Sequence, residues 1–205
     1  MAGLEADLSA FYDQEAVDRA QRPIDPSRVA QRDAFILQLR DEGRANLLEV
    51  GTGPGREAAT FAHHGIAPVG VDLSFEHARL ARANGVASAR ASVLALPFAS
   101  EAFDSGWTMS TLLHVPDTDF DHAMAELVRV LRPRALLAVG LWGGFDREGP
   151  SEFDTIDPPR FFSLRSHERA RAMLGAHGEI ERFDTWPDDR STWEYQFVVL
   201  RVRAG

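Results

Sequence analysis

The sequence predicts an α/β fold in which a mostly parallel sheet is flanked by helices and closed by an antiparallel hairpin. Three observations predict it. From residue 46 onward, short apolar runs alternate with helical segments, the pattern of strand–helix–strand crossovers. The first run, Leu47 to Val50, breaks into Gly51, Gly53 and Gly55 and resumes as a helix, which makes a tight strand-to-helix turn. Near the end, 179–186 and 193–202 read as strands joined by the turn-rich segment Pro187 to Ser191, and so short a connection requires antiparallel pairing.

The bulk numbers fit this class. A chain of 205 residues suits one structural domain with a sizeable core. A net charge of -9 argues against general affinity for nucleic-acid phosphates or anionic membranes, although arginines cluster between Arg160 and Arg171. With no cysteine there is no disulfide, thiolate metal site or cysteine nucleophile. The first residues lack the basic start and apolar core of a signal peptide, and no apolar run is long enough to span a membrane. The expectation is a soluble, cytoplasmic protein with neither a nucleic-acid nor a membrane partner.

Residues 1–45 form a helical lead-in or cap, and 46–205 the main domain. Leu4, Leu8, Phe11 and Tyr12 recur at helical spacing; Asp25-Pro26 starts a second helix, and Gly43 ends it. Strand one is 47–50 with a helix at about 55–64. Strand two is 67–71, followed by Asp72 and a helix near 75–84 capped by Ser74. A third strand falls around 87–92 and a fourth at 103–109. An amphipathic helix spans 119–131, and 135–141 is the fifth strand. Residues 145–164, rich in Pro, Asp and Phe without periodicity, suggest a long functional loop, with a helix at about 166–175 after it.

The glycine turn narrows the chemistry. A dinucleotide fingerprint, G-x-G-x-x-G, would need glycine at position 56, where Arg56 stands. A triphosphate loop would need Gly-Lys-Ser/Thr, which is absent. What remains is Glu49, Gly51, Gly53 and Gly55, with Asp72 ending the next strand. An acid there is placed to accept hydrogen bonds from both hydroxyls of a ribose.

Four stretches, 48–56, 69–74, 95–98 with 103–104, and 127–133, stand in the order and spacing of one family. The chain resembles the class I S-adenosylmethionine-dependent methyltransferases of small-molecule type, including quinone-biosynthesis enzymes. The resemblance implies a Rossmann-like seven-stranded sheet with helices on both faces and an antiparallel last strand. It implies S-adenosylmethionine as cofactor, S-adenosylhomocysteine as product, no metal, and a small-molecule methyl acceptor. It also implies cofactor contacts from Glu49, Gly51, Thr52, Gly53, Gly55, Asp72, Leu73, Ser92, Val93 and Ser110. Glu49 would meet the amino group, Asp72 the ribose and Leu73 the adenine. At Ser92 the family usually carries an Asp bonded to the adenine amine; here a hydroxyl, or the Val93 backbone, takes that place. Its usual Pro-Gly-Gly turn is Pro133-Arg134-Ala135.

His114, just past the fourth strand, is either a base or substrate contact or a histidine packing the pocket floor. Tyr12, Trp142 and Phe145 are candidate substrate contacts, against the reading that they are ordinary core. Asp117, Asp119 and Asp121 lack the glycine and distal glutamate of a cation loop and read as helix-start charges. His63 and His64 read as a helix-end pair. The predicted reaction is direct methyl displacement. A non-catalytic binder of the same cofactor on the same fold is the alternative.

Overall fold

The computed structural model describes residues 2–189 and 191–203, so Arg190 of the expected turn lies outside the described residues. Two helices lead, α1 (Ala2–Gln21) and α2 (Pro26–Asp41). The alternating units follow: β1 (Asn46–Val50), α3 (Arg56–His63), β2 (Ala67–Asp72), α4 (Phe75–Ala83), β3 (Ala87–Arg90) and β4 (Phe103–Met109). After a single 3₁₀ turn at Leu112–His114 come α5 (Asp117–Val130), β5 (Leu131–Gly143), β6 (Arg147–Pro150) and β7 (Phe161–Leu164). The chain closes with α6 (His167–Gly175), β8 (Gly178–Pro187) and β9 (Glu194–Val202).

Seven strands form one sheet in the order β3-β2-β1-β4-β5-β9-β8. The β1–β2, β1–β4, β2–β3 and β4–β5 pairs are parallel, and β9 lies antiparallel between β5 and β8. The last strand is therefore inserted antiparallel, as expected. The central strands β1, β5 and β9 are buried on both faces, which explains their near-continuous apolar runs, whereas the edge strands β3 and β8 are largely half-buried or exposed. On β5, Leu137, Val139 and Leu141 face a core built with Phe120, Met124 and Leu127 of α5. The intervening Leu136 and Ala138 face the opposite core, with Phe35, Ile36 and Leu39 of α2 and Phe61 of α3. The period of two along the strand sorts its residues between the two layers.

Three boundaries depart from the sequence reading. Helix α5 begins at Asp117 rather than 119, with Pro116 as its N-cap residue, and ends at Val130. Strand β5 starts directly at Leu131, and its register with β4 slips between Phe103 and Ser105. The slip absorbs the Pro133 turn, where Arg134 adopts φ 62°, the conformation that a glycine would take at lower cost. The 145–164 stretch is not all loop. Its ends pair as the two-stranded β6–β7 ribbon, too short and too polar on the β6 side to show periodicity. Ser74 caps α4 as predicted, accepting from the His77 N–H at 3.1 Å. Asp25 caps α2 in the same way through the Arg28 N–H.

Candidate active site

The turns after β1, β2, β3 and β4 all open at the carboxyl edge of the sheet, where open α/β sheets place their ligand crevices. A cavity of about 380 Å³ lies there, roofed by α1 and the α1–α2 connection. That volume falls within the roughly 300–1,000 Å³ of small-molecule sites.

One end of the cavity is polar. Asp72, ending β2, is 8% exposed and lines it. Its Oδ2 accepts from the Gly53 N–H at 2.8 Å, and its Oδ1 from the Ser74 N–H at 2.9 Å. Each oxygen keeps a lone pair for a ligand donor. The turn is strapped to β2 because the Gly51 and Thr52 N–H groups both donate to the Val71 carbonyl. At Gly51 a Cβ would sit 1.9 Å from Thr111 Oγ1, so only glycine fits. At Gly53, φ is +54° and a Cβ would meet nothing, so that face of the turn is open to a ligand.

Beneath the turn lies a buried acid pair. Glu49 is 2% exposed and accepts from Thr52 Oγ1 at 2.8 Å. Glu57, on the first turn of α3, takes both Arg28 Nε, at 3.2 Å, and an Arg28 terminal nitrogen. Burial, with the Glu57 carboxylate adding to it, pushes Glu49 up to about 8; Thr52 and Arg28 oppose the shift. Burial thus favours the neutral form of Glu49, and a cation brought close to it would favour the carboxylate.

The other end is aromatic. Trp142 at the end of β5 packs edge-on against Tyr195 of β9, with centroids 4.8 Å apart. Trp186 of β8 stacks on the same Tyr195 at 4.8 Å. Ser110, held at φ 55° just past β4, lies 3.3 Å from the Tyr195 hydroxyl. His114 sits between α1 and β7: its Nδ1 is 2.7 Å from the Phe161 carbonyl and its Nε2 is 2.6 Å from Tyr12 Oη. A carbonyl only accepts, so Nδ1 carries the proton, Nε2 is the acceptor, and the Tyr12 hydroxyl donates to it. Burial, reinforced by the nearby Arg160 and Arg19, pulls the imidazole down to about 3 against the pull of the Phe161 carbonyl.

Most residues singled out from the sequence line this cavity: Tyr12, Gly51, Thr52, Gly53, Asp72, Leu73, Ser92, Val93, Ser110, His114 and Trp142. Three do not. Glu49 lies behind Thr52. Gly55 starts α3 against Ala81 and Val86. Phe145 packs on the core beside β5. The aspartates after Pro116 serve structure. Asp117 holds Arg165 and Arg169, and Asp121 pairs with His177 at 2.9 Å. His64 caps α3 and contacts the Thr60 carbonyl at 2.9 Å. Sequence reasoning missed Glu5, Arg28, Glu57, Trp186 and Tyr195, all of which line the cavity. Glu57 reads as an ordinary first-turn acid. Glu5 shares one helix face with Ser9 and Asp13 at i, i+4, i+8, the only trace it leaves in the sequence.

The comparisons with known proteins agree with this geometry. A family model described as a methyltransferase domain matches residues 48–139. A methyltransferase of Mycobacterium marinum is 36% identical over 148 residues, covering 68% of this chain and 54% of the relative. Methyltransferase GfsG of Streptomyces halstedii is 34% identical over 102 residues, covering 45% of this chain and 36% of the relative. The chain thus spans about half or less of the length of these relatives. Among solved structures, the 1,6-didemethyltoxoflavin-N1-methyltransferase of Burkholderia thailandensis, with bound S-adenosylhomocysteine, shares the fold. Its TM-score is 0.73 at 21% identity, over 97% of this chain and 88% of that one. With its motifs inside the matched region and its sheet in this order, the chain belongs to the class I S-adenosylmethionine-dependent methyltransferases.

Proposed function

We propose that this protein transfers the methyl group of S-adenosylmethionine to a small-molecule acceptor seated among Tyr12, Trp142, Trp186 and Tyr195. The observation that carries the reading is the division of one cavity into a hydrogen-bonding end at Asp72 and an aromatic end beyond Ser110. The residues fit the cofactor. Asp72 offers two oriented acceptors to a ribose diol, Gly53 leaves room for close approach, and Leu73 offers an apolar face to a base. Near the turn, the Glu57 carboxylate lines the cavity and Glu49 stands behind Thr52, the two acids within reach of an ammonium group. When bound, the cofactor supplies a methyl already activated on a sulfonium, so the protein's task is alignment and exclusion of water.

The aromatic end aligns the acceptor through flat contact area and one hydroxyl. Tyr12 is oriented by His114, which the Phe161 carbonyl holds in a single tautomer. We assign His114 as a positioning residue and Tyr12 as the group that touches the acceptor. An imidazole held near 3 is a hydrogen-bond acceptor at pH 7 and a weak base. Arg28 and Arg160 line the same cavity, each paired with an acid, Glu57 and Asp154 respectively.

The test is methyl transfer from tritiated S-adenosylmethionine into fractionated small molecules of a cell extract. The expected result is protein-dependent label in a low-molecular-weight fraction and matching formation of S-adenosylhomocysteine. Binding of the cofactor with no label in any fraction and no such product overturns the reading.

A further inference from the structure

Helix α1 lays one polar face across the β2–α4 and β3 turns. Ser9 Oγ donates to the Leu73 carbonyl at 3.2 Å, and Asp13 Oδ1 accepts from the Glu76 N–H at 3.0 Å and from Ser74 Oγ. Arg90 ties the junction by donating to the Leu73 carbonyl at 3.0 Å and to Ser9 Oγ at 3.3 Å. One turn earlier on the same face stands Glu5, whose Oε1 accepts from Ser92 Oγ.

The place of Glu5 along the cavity follows from the sheet order. Asp72 ends β2, and its carbonyl accepts from the Ala91 N–H at 2.9 Å, so Ser92 lies one residue beyond that bond. Between Asp72 and Ser92 the wall is apolar, made by Leu73, Ala91 and Val93, with Leu8 of α1 also lining the cavity. A ligand whose sugar is held by Asp72 places its base in this slot and the edge of that base at Ser92 and Glu5. The Ser92 hydroxyl has its proton committed to Glu5 and a lone pair committed to the Leu94 N–H at 3.0 Å. The acceptor left at the edge is Glu5 Oε2, which has no hydrogen-bond partner among the described residues.

We infer that Glu5 accepts the exocyclic amine of the cofactor's base, so that α1 supplies the carboxylate for which Ser92 only provides the seat. This rests on the methyltransferase reading above and concerns residues that the glycine-turn region does not contain. A carboxylate at the edge favours an amine donor and repels a carbonyl, so Glu5 selects adenine over hypoxanthine.

The test is calorimetric titration with S-adenosylhomocysteine and with its deaminated analogue, S-inosylhomocysteine. The wild-type protein binds the adenine form roughly ten- to a hundredfold more tightly, the worth of one hydrogen bond to a charged group. In Glu5→Ala that preference falls to within about threefold, and Ser92→Asp added to Glu5→Ala restores it. A Glu5→Ala protein that keeps the full preference overturns the inference while leaving the cofactor reading intact. A folded wild-type protein that binds neither ligand overturns both.

Discussion

The Tyr12 hydroxyl donates to His114 Nε2 at 2.6 Å, joining the first helix to the turn past β4 across 102 residues. That bond fills the one lone pair of the neutral imidazole and orients the phenol along the cavity wall. Tyr12→Phe leaves Nε2 buried without a donor. The expected cost is about 1–3 kcal/mol in urea unfolding at pH 7. Turnover should fall further in Tyr12→Phe than stability alone explains. An unchanged kcat at saturating acceptor contradicts the role given to Tyr12.

His114 also sets an acid limit. The unfolded chain takes up a proton near pH 6.5, whereas the folded protein holds out until about 3. Between those values the unfolded state binds more protons, so this site's contribution to stability falls as the pH falls. Replacing His114 by Gln should make the slope of unfolding free energy between pH 6.5 and 4 shallower by up to about 1.4 kcal/mol per pH unit. Parallel slopes in the two proteins contradict a neutral, buried imidazole.

Glu49 acts with the opposite sign. Its folded value near 8 lies above the usual 4.5, so the folded protein binds the extra proton, and stability from this site is lost as the pH rises from about 4.5 to 8. Glu49→Gln should flatten that decline in chemical denaturation curves. A steeper decline in the variant contradicts the assignment.

The glycines of the turn divide by role. Gly51→Ala drives a Cβ into Thr111, so thermal unfolding should drop by several degrees. Gly53→Ala meets no protein atom and carries only the left-handed backbone cost of roughly 1–2 kcal/mol. Its main loss should be affinity for S-adenosylhomocysteine, read by calorimetry. Equal loss of affinity and of stability in both variants contradicts an open face at Gly53.

The parallel core of the fold was legible because β1, β2 and β5 carry short apolar runs ended by glycine or an acid. Asp72 was legible as a candidate site residue because it closes β2 where the turn from β1 returns, and it lines the cavity. The β6–β7 ribbon was not legible, since Arg147-Glu-Gly-Pro150 carries no apolar alternation and is held by pairing to Phe161–Leu164. Arg28, Trp186 and Tyr195 were hidden because they reach the cavity from elements far away in sequence, which no local pattern reports. Glu49 was legible as a buried acid, but its place behind Thr52 depends on a side-chain bond that spacing does not encode.

The central claim is that Asp72 and the glycine turn hold S-adenosylmethionine, and calorimetric titration of the wild-type and Asp72→Asn proteins with S-adenosylhomocysteine tests it most directly. The wild type should bind saturably at one site per chain. Asp72→Asn turns an acceptor oxygen into a donor facing either Gly53 or Ser74, and affinity should fall by roughly tenfold or more. A folded wild-type protein that gives no binding heat at any temperature tried, or an Asp72→Asn variant that binds as tightly, would contradict it.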